Sequence, residues 1–261
     1  MLRLEGLGVR IAGADILRNI TLNVRPNSFV ALVGRNGAGK TTLLRSVMNL
    51  IPRWSGEIKI DGQVTTKASP SDHAHRGVGY MPEDRRLIGG WTVEQNILLP
   101  VWANSVSGWQ ARLAWCYSLV PEIVPFAERR AAELSGGQQK LVALARALMV
   151  AHKLLLLDEP FEGVAPALAQ RIAEILSELR KSGSFSVLIS ESDAVHTRHL
   201  VDDVYIIERG EVRPVRPIAR LFAQTGRGCR SAPRARPRPE RREYRFPETR
   251  STARRREPPR E

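Results

Sequence analysis

A glycine-rich segment near the start of the chain carries the residue types that bind a phosphate chain. This phosphate loop, Gly34-Arg35-Asn36-Gly37-Ala38-Gly39-Lys40-Thr41-Thr42, follows the apolar run Phe29–Val33. Its glycines let the backbone curl until successive N–H groups point at one phosphate. Lys40 adds a flexible positive charge, and the Thr41 hydroxyl can bind Mg²⁺. The segment therefore predicts a nucleotide site between a strand and a helix.

The residues after the phosphate loop predict the helix that such a site needs. Apolar side chains recur there at intervals of three and four residues, and a proline interrupts the pattern. The apolar positions are Leu44, Val47, Met48 and Ile51, with Pro52 at the expected end. One face of this helix is therefore expected in the core.

Two adjacent acids, Asp158 and Glu159, follow a second apolar run, Leu154-Leu155-Leu156-Leu157, and precede Pro160. Such a run is typical of a buried parallel strand, which delivers its last residues to the sheet edge where ligands bind. Opposite a phosphate loop, Asp158 is expected to hold Mg²⁺ through water, and Glu159 to polarise the water that attacks the phosphate. Glu159 and Lys40 are therefore candidate catalytic residues, and Asp158 is a candidate metal ligand.

A third element, the signature segment, is Leu134-Ser135-Gly136-Gly137-Gln138-Gln139, and an amphipathic helix pattern follows it. A helix start offers free N–H groups and the positive end of the helix dipole, both of which suit a γ-phosphate. Ser135 as an ordinary helix cap is the competing interpretation. It is disfavoured in the sequence because two glycines would weaken the first turn.

In this order, the three elements resemble the nucleotide-binding subunit of ATP-binding cassette (ABC) proteins over roughly residues 1 to 212. The resemblance implies an α/β fold of the P-loop NTPase type. Its parts are a parallel-sheet core, an N-terminal antiparallel β subdomain and a helical subdomain at about residues 84–150. It also implies that ATP and Mg²⁺ bind between two subunits paired head to tail. Each ATP would contact one phosphate loop and the other subunit's Ser135, Gly136, Gly137 and Gln138.

Three further segments look like those of the branched-chain amino acid importer ATPases and of the similar urea and amide importers. They are Gly79–Leu87, Trp91–Asn96 and Glu162–Pro166. By this resemblance Glu83 offers an oxygen to Mg²⁺ or its water, and its segment transmits nucleotide state to the membrane partner. The competing interpretation is a solvated charged loop around Asp84.

Two positions depart from the general cassette pattern. Ile11 stands where an aromatic residue usually stacks on adenine; isoleucine covers a base without stacking on it as a ring does. Ser192 stands where many cassettes carry a histidine that touches the γ-phosphate. His196, one helical turn further on, is expected at the surface and receives no role. Turnover is expected to depend on Glu159 and on Ser135 of the opposite subunit.

Positive charge is concentrated at the end of the chain. The 261 residues have a net charge of +13, of which residues 213–261 contribute +11 and residues 1–212 only +2. This Arg/Pro-rich tail lacks apolar periodicity, which predicts disorder. It could be passive, contact anionic lipid or bind nucleic acid; the first two are favoured because aromatic residues for base stacking are few. A shifted reading frame would produce a similar stretch.

The remaining features indicate a peripheral subunit. The sequence has no run of about 18 apolar residues that could span a membrane, and its start does not resemble a signal peptide. Cys116 and Cys229 fit a reducing compartment. The resemblance implies a position at the cytoplasmic face of the inner membrane, bound to permease subunits.

The expected function is therefore ATP-driven uptake of branched-chain amino acids or a similar small polar solute. A periplasmic solute-binding protein would take part indirectly, no nucleic acid is expected, and the second ATPase could be identical or related. Two alternatives stay open: a non-transport ABC ATPase acting on ribosomes or nucleic acid, and a catalytically weak member of an asymmetric pair.

Overall fold

The computed structural model describes residues 1–65 and 68–215, and this part of the chain lies within one compact unit, Met1–Thr225. Its strands are β1 (Leu2–Ile11), β2 (Ala14–Val24), β3 (Phe29–Val33), β4 (Ser55–Ile60), β5 (Gln63–Val64), β6 (Val78–Met81), β7 (Leu154–Asp158), β8 (Ser186–Glu191), β9 (Asp203–Glu208) and β10 (Glu211–Val215). Its α-helices are α1 (Lys40–Val47), α2 (Pro70–His75), α3 (Val93–Ala103), α4 (Trp109–Leu119), α5 (Gly136–Val150) and α6 (Pro166–Ser182). Short 3-10 helices span Pro121–Phe126 and Ala131–Glu133.

Six strands form the central sheet, in the order β10-β9-β3-β8-β7-β6. Strands β9, β3, β8, β7 and β6 are parallel, and β10 pairs antiparallel with β9 at one edge. Strands β7 and β8 are buried along their whole length, as expected for parallel strands covered on both faces. Because parallel strands end at one edge of the sheet, the phosphate loop after β3 and the acids of β7 lie at that same edge.

A second, antiparallel sheet has the strand order β2-β1-β4-β5. Its inward side chains share one core cluster with the central sheet and α1, for example Leu4, Leu17, Val30 and Leu44. This packing places the turn between β1 and β2 beside the phosphate loop. The second sheet is the predicted N-terminal antiparallel subdomain.

Helices α3, α4 and α5 lie between β6 and β7 in the chain and form a helical lobe. Their buried side chains join a core cluster that includes β7, β8 and α6. Trp115 of this lobe stacks on Phe185, with ring centroids 6.1 Å apart, whereas Trp102 is 48% exposed. With its two sheets and this lobe, the structure confirms the predicted α/β fold class.

Helix α1 ends earlier than the sequence pattern predicts. Its last residue is Val47, and Asn49 has a left-handed φ of 54°, which an α-helix cannot continue. The Asn49 side chain also donates to the main-chain oxygen of Thr65 at 2.7 Å, which stabilises the turn. Leu44 is buried as expected, whereas Ile51 packs against the core from outside the helix.

The C-terminal end of the described region extends past the predicted core boundary at residue 212, because β10 continues to Val215. The boundary itself stays a prediction. The rest of the Arg/Pro-rich tail and Cys229 lie outside the described residues. Within residues 1–65 and 68–215, no helix is both long and apolar enough to cross a membrane.

Candidate functional site

The phosphate loop adopts a backbone path that requires glycine. Gly37 and Gly39 have φ values of 79° and 110°, in the region that L side chains rarely adopt. Gly34 is needed for space, because a Cβ there would lie 2.3 Å from the main-chain oxygen of Ile207. Gly39 caps α1 without a side-chain hydrogen bond, so the first turn leaves N–H groups for a ligand.

A pocket of about 440 Å³ opens over this loop and brings together half of the sequence-predicted site residues. Its walls include Ile11 and Ile16, which flank the turn between β1 and β2. The other lining residues are Asn36, Gly37, Gly39, Lys40, Thr41, Thr42, Glu83 and Glu159. The sequence reasoning missed Ile16, although its position just after the turn from Ile11 was a usable signal.

The Lys40 ammonium lies in the centre of the site and is 5% exposed. Its Nζ atom is 2.9 Å from Glu159 Oε1 and donates to the main-chain oxygens of Gly34 and, at 3.2 Å, Arg35. Ala38 closes the loop by donating its N–H to the Arg35 oxygen at 3.0 Å. Lys40 therefore joins the phosphate loop to the acid at the end of β7.

Three hydroxyl groups surround the fully buried Asp158 carboxylate. Ser190 donates to Oδ1 at 2.7 Å, Thr41 to Oδ1 at 3.2 Å, and Tyr80 to Oδ2 at 3.2 Å. Ser190 is the register partner of Asp158 on β8. Burial raises the pKa of Asp158, and the three hydrogen bonds oppose that rise. The sequence reasoning missed Ser190 and Tyr80, whose positions on neighbouring strands become visible only with the strand order.

The oxygen atoms next to Asp158 fit a magnesium ion. The Thr41 hydroxyl is within hydrogen-bond distance of Asp158, and Glu83 lines the same pocket. Partial burial and the negative charges of Asp158 and Glu162 raise the pKa of Glu83. Hard oxygen ligands around concentrated negative charge are what Mg²⁺ prefers. Among the described residues no group of three or more His, Cys, Asp and Glu side chains could hold a metal, so phosphate or water would complete the coordination.

Glu159 and Ser192 contact each other at the edge of the pocket. The Ser192 N–H donates to Glu159 Oε2 at 3.2 Å, and its Oγ atom is 3.1 Å from Glu159 Oε1 and 2.8 Å from Asn36 Oδ1. Ser192 is therefore placed against the candidate base. The expectation of a helix beyond it is wrong: residues 192–200 form bends and turns, and His196 is exposed and stacks on Phe161 with centroids 5.1 Å apart.

Ser135 is a complete helix cap, and the sequence reasoning against that role is wrong. Its Oγ accepts the N–H of Gln138 at 3.3 Å, and Gln138 Oε1 accepts the N–H of Ser135 at 2.9 Å. This reciprocal capping box offsets the weakness of the two glycines. Ser135 and Gly136 are exposed, and the residues of the signature segment do not line the pocket over the phosphate loop in the described part of the chain.

Comparison with known proteins places these features in a family. Residues 17–162 match the family model described as ABC transporter. The chain is 32% identical over 212 residues to the high-affinity branched-chain amino acid transport ATP-binding protein BraG of Pseudomonas aeruginosa, covering 81% of this chain and 91% of BraG. It is also 32% identical over 214 residues to the lipopolysaccharide export system ATP-binding protein LptB of Haemophilus influenzae, covering 81% and 88%.

A solved structure supports the same assignment. It is a dimeric, post-hydrolysis state of the ATP-binding cassette MJ0796 bound to ADP and Pi, with 26% identity and a TM-score of 0.73. The match covers 82% of this chain and 98% of MJ0796. The chain therefore belongs to the ABC transporter family and is an ABC-type ATPase cassette.

Proposed function

We propose that this chain hydrolyses ATP in an importer of branched-chain amino acids or a similar small polar solute. The observation that carries the proposal is the 2.9 Å contact between Lys40 Nζ and Glu159 Oε1 in the pocket over the phosphate loop. This contact joins a phosphate-binding cation to a candidate base. Family membership and the similarity to BraG support the transport role.

The residues of the pocket have separate roles in the proposed hydrolysis. Main-chain N–H groups of the phosphate loop and Lys40 bind the β- and γ-phosphates and balance the charge that develops on their oxygens. Glu159 accepts a hydrogen bond from water and aims that water at the γ-phosphate. Thr41, Asp158 and Glu83 would hold Mg²⁺, which supplies further neutralisation of phosphate charge when bound. Ile11 and Ile16 give the adenine an apolar wall.

A second ATPase subunit, identical or related, completes this site. At the start of α5, Ser135 and Gly136 are exposed and Gly137 and Gln138 are half-buried, and none of the four lines the chain's own pocket. Because a helix start binds anions, these residues are suited to the γ-phosphate held by another subunit. The dimeric state of the similar cassette MJ0796 supports this arrangement.

A groove of about 710 Å³ beside the helical lobe is the proposed contact with a membrane permease. Its apolar lining includes Met48, Leu50 and Leu99, and Arg86 and Arg146 add positive charge. Leu50 is 48% exposed. The groove also borders Tyr80 and Pro82, next to Glu83, so a helix docked there could respond to the nucleotide. We place the subunit at the cytoplasmic face of the inner membrane, with a periplasmic solute-binding protein acting indirectly and no nucleic acid involved.

Hydrolysis tests the catalytic part of the proposal. Purified wild-type protein is expected to hydrolyse Mg-ATP, and Glu159→Gln to lose at least about a hundredfold in kcat because Gln cannot act as a base. Glu178→Gln, which changes an exposed acid on α6, is the matched control and should retain wild-type activity. Full hydrolysis by Glu159→Gln would refute the proposed role of Glu159.

Uptake measurements in cells test which solute is transported. Cells that lack the gene are expected to lose uptake of labelled leucine, isoleucine and valine, and to regain it with the wild-type gene but not with Glu159→Gln. The equal identity to LptB favours lipopolysaccharide export as the second candidate. Normal uptake of these amino acids together with defective delivery of lipopolysaccharide to the cell surface would support that candidate instead.

A further inference from the structure

The backbone of Glu159 is in a conformation that other contacts must maintain. Its φ is 49°, in the left-handed region that residues with a side chain rarely adopt, and its side chain is almost fully buried. Its N–H donates to the main-chain oxygen of Ser190 at 3.1 Å. A strained backbone persists only where surrounding contacts maintain it. The groups that bind the carbonyl oxygen of Glu159 are among those contacts.

A buried lysine of helix α5 holds that carbonyl. Lys140 Nζ donates to the main-chain oxygen of Glu159 at 2.8 Å and to that of Glu162 at 2.5 Å. The N–H of Glu162 in turn donates to the oxygen of Glu159 at 3.2 Å. One ammonium group therefore binds both ends of the turn that follows the candidate base.

The surroundings of Lys140 favour this specific placement. The side chain is 4% exposed, and burial lowers its pKa, as does the charge of Arg85. The carboxylates of Glu162 and Glu159 act in the opposite direction, as does Glu191 when it is ionised. Because a buried cation is costly without hydrogen-bond acceptors, the ammonium is held at the two carbonyls rather than free to move.

We propose that Lys140 is a positioning residue for Glu159. By fixing the turn Glu159–Glu162, it keeps the Glu159 carboxylate directed at Lys40 and Ser192. The inference rests on the proposed catalytic role of Glu159. Helix α5 would then have two roles. Ser135 caps its start, and Lys140, about one turn later, binds the turn that follows Glu159 of the same chain.

The test compares three variants in steady-state hydrolysis, ATP binding and ATP-dependent dimer formation. Lys140→Met fills the space without donors, Lys140→Arg keeps donors for both carbonyls, and Lys181→Met changes an exposed lysine of α6 as the control. Lys140→Met is expected to lower kcat about 10- to 100-fold, the effect of a displaced catalytic group. Its KM and its affinity for ATP should stay within about twofold of wild type.

Two further readouts separate positioning from general destabilisation. Lys140→Met should accumulate as an ATP-bound dimer, because the phosphate loop and signature segment are unchanged while hydrolysis is slow. Lys140→Arg should recover most of kcat, and Lys181→Met should match wild type. If Lys140→Met does not fold, Lys140→Leu replaces it with the same expectations, since its shorter side chain also has no donors and no charge.

A kcat of Lys140→Met within twofold of wild type would overturn the inference. So would a parallel loss of ATP affinity and kcat, because that result indicates a structural role only. Glu159→Gln is measured in the same series: if it hydrolyses ATP normally, the proposed function fails, whereas a dead Glu159→Gln beside a fully active Lys140→Met rejects Lys140 alone.

Discussion

Asp158 and Glu159 are neighbours in sequence, yet their carboxylates have different partners. Asp158 accepts hydrogen bonds from hydroxyls, among them Thr41, whereas Glu159 pairs with the ammonium of Lys40 and contacts Ser192. The first environment suits a metal ligand and the second a base. The sequence predicted the two acids from the apolar run before them. It also assigned Asp158 to the metal and Glu159 to the water. It could not predict the hydroxyls of Ser190 and Tyr80 around Asp158, because they come from strands distant in the chain.

Ser192 is expected to assist Glu159 without being essential. Ser192→Ala removes the hydroxyl but keeps the N–H that donates to Glu159, so kcat should fall about fivefold, the effect of one hydrogen bond of about 1 kcal/mol. Steady-state hydrolysis at saturating Mg-ATP measures this change. A wild-type protein without hydrolysis that gains full activity through Ser192→His would contradict the expectation.

The buried carboxyl of Glu191 predicts a pH-dependent stability. Burial and the charge of Glu159 raise its pKa to about 9, so the folded protein keeps a proton there that the unfolded chain releases near pH 4.5. Between these two pH values the folded state binds more protons, so the free energy of unfolding falls as pH rises. The slope approaches about 1.4 kcal/mol per pH unit for one group.

Glu191→Gln should remove this contribution while keeping an oxygen for the N–H of Phe161. Urea unfolding at pH 6 and pH 8.5 is expected to show a smaller loss of stability in the variant than in wild type. The exposed control Glu178→Gln should keep the wild-type slope. Equal slopes in wild type and Glu191→Gln would show that Glu191 is ionised in the folded protein.

Sequence patterns predicted individual strands and loops better than they predicted contacts between residues that are distant in the chain. Strand β3, the phosphate loop and strand β7 follow directly from apolar runs and glycine spacing. The pattern after the loop overran the end of α1, because it did not account for the left-handed turn at Asn49. The cap at Ser135 was wrongly disfavoured, because the sequence argument did not include the contribution of Gln138 three residues later.

The close approach of the phosphate loop to strand β9 predicts a clear stability difference between two glycine variants. Gly34→Ala would place a Cβ 2.3 Å from the Ile207 oxygen, so the loop or the strand must move. A loss of about 3 kcal/mol in the free energy of unfolding is expected, at the upper end of overpacking effects. Gly90→Ala meets no atom within 4 Å and should change stability by less than about 0.5 kcal/mol. Denaturant unfolding compares the two, and equal stabilities would contradict the packing argument.

The two parts of the proposed ATP site lie on different surfaces of the chain. The pocket over the phosphate loop contains Lys40 and Glu159, whereas Ser135 is exposed at the start of α5. The sequence suggested pairing of two chains only through its resemblance to ABC proteins, because spacing along one chain carries no information about a second. This separation is the physical reason why the proposed site needs a second chain.

The most direct test of the two-chain ATP site is the oligomeric state of Glu159→Gln by sizing chromatography with light scattering, with and without Mg-ATP. Slow hydrolysis should keep ATP between two chains, so the variant is expected to elute as a dimer with Mg-ATP and as a monomer without it. Adding Ser135→Arg, which places a bulky side chain at the start of α5, should abolish that dimer. A Glu159→Gln protein that binds ATP yet stays monomeric at high concentration would contradict the two-chain site.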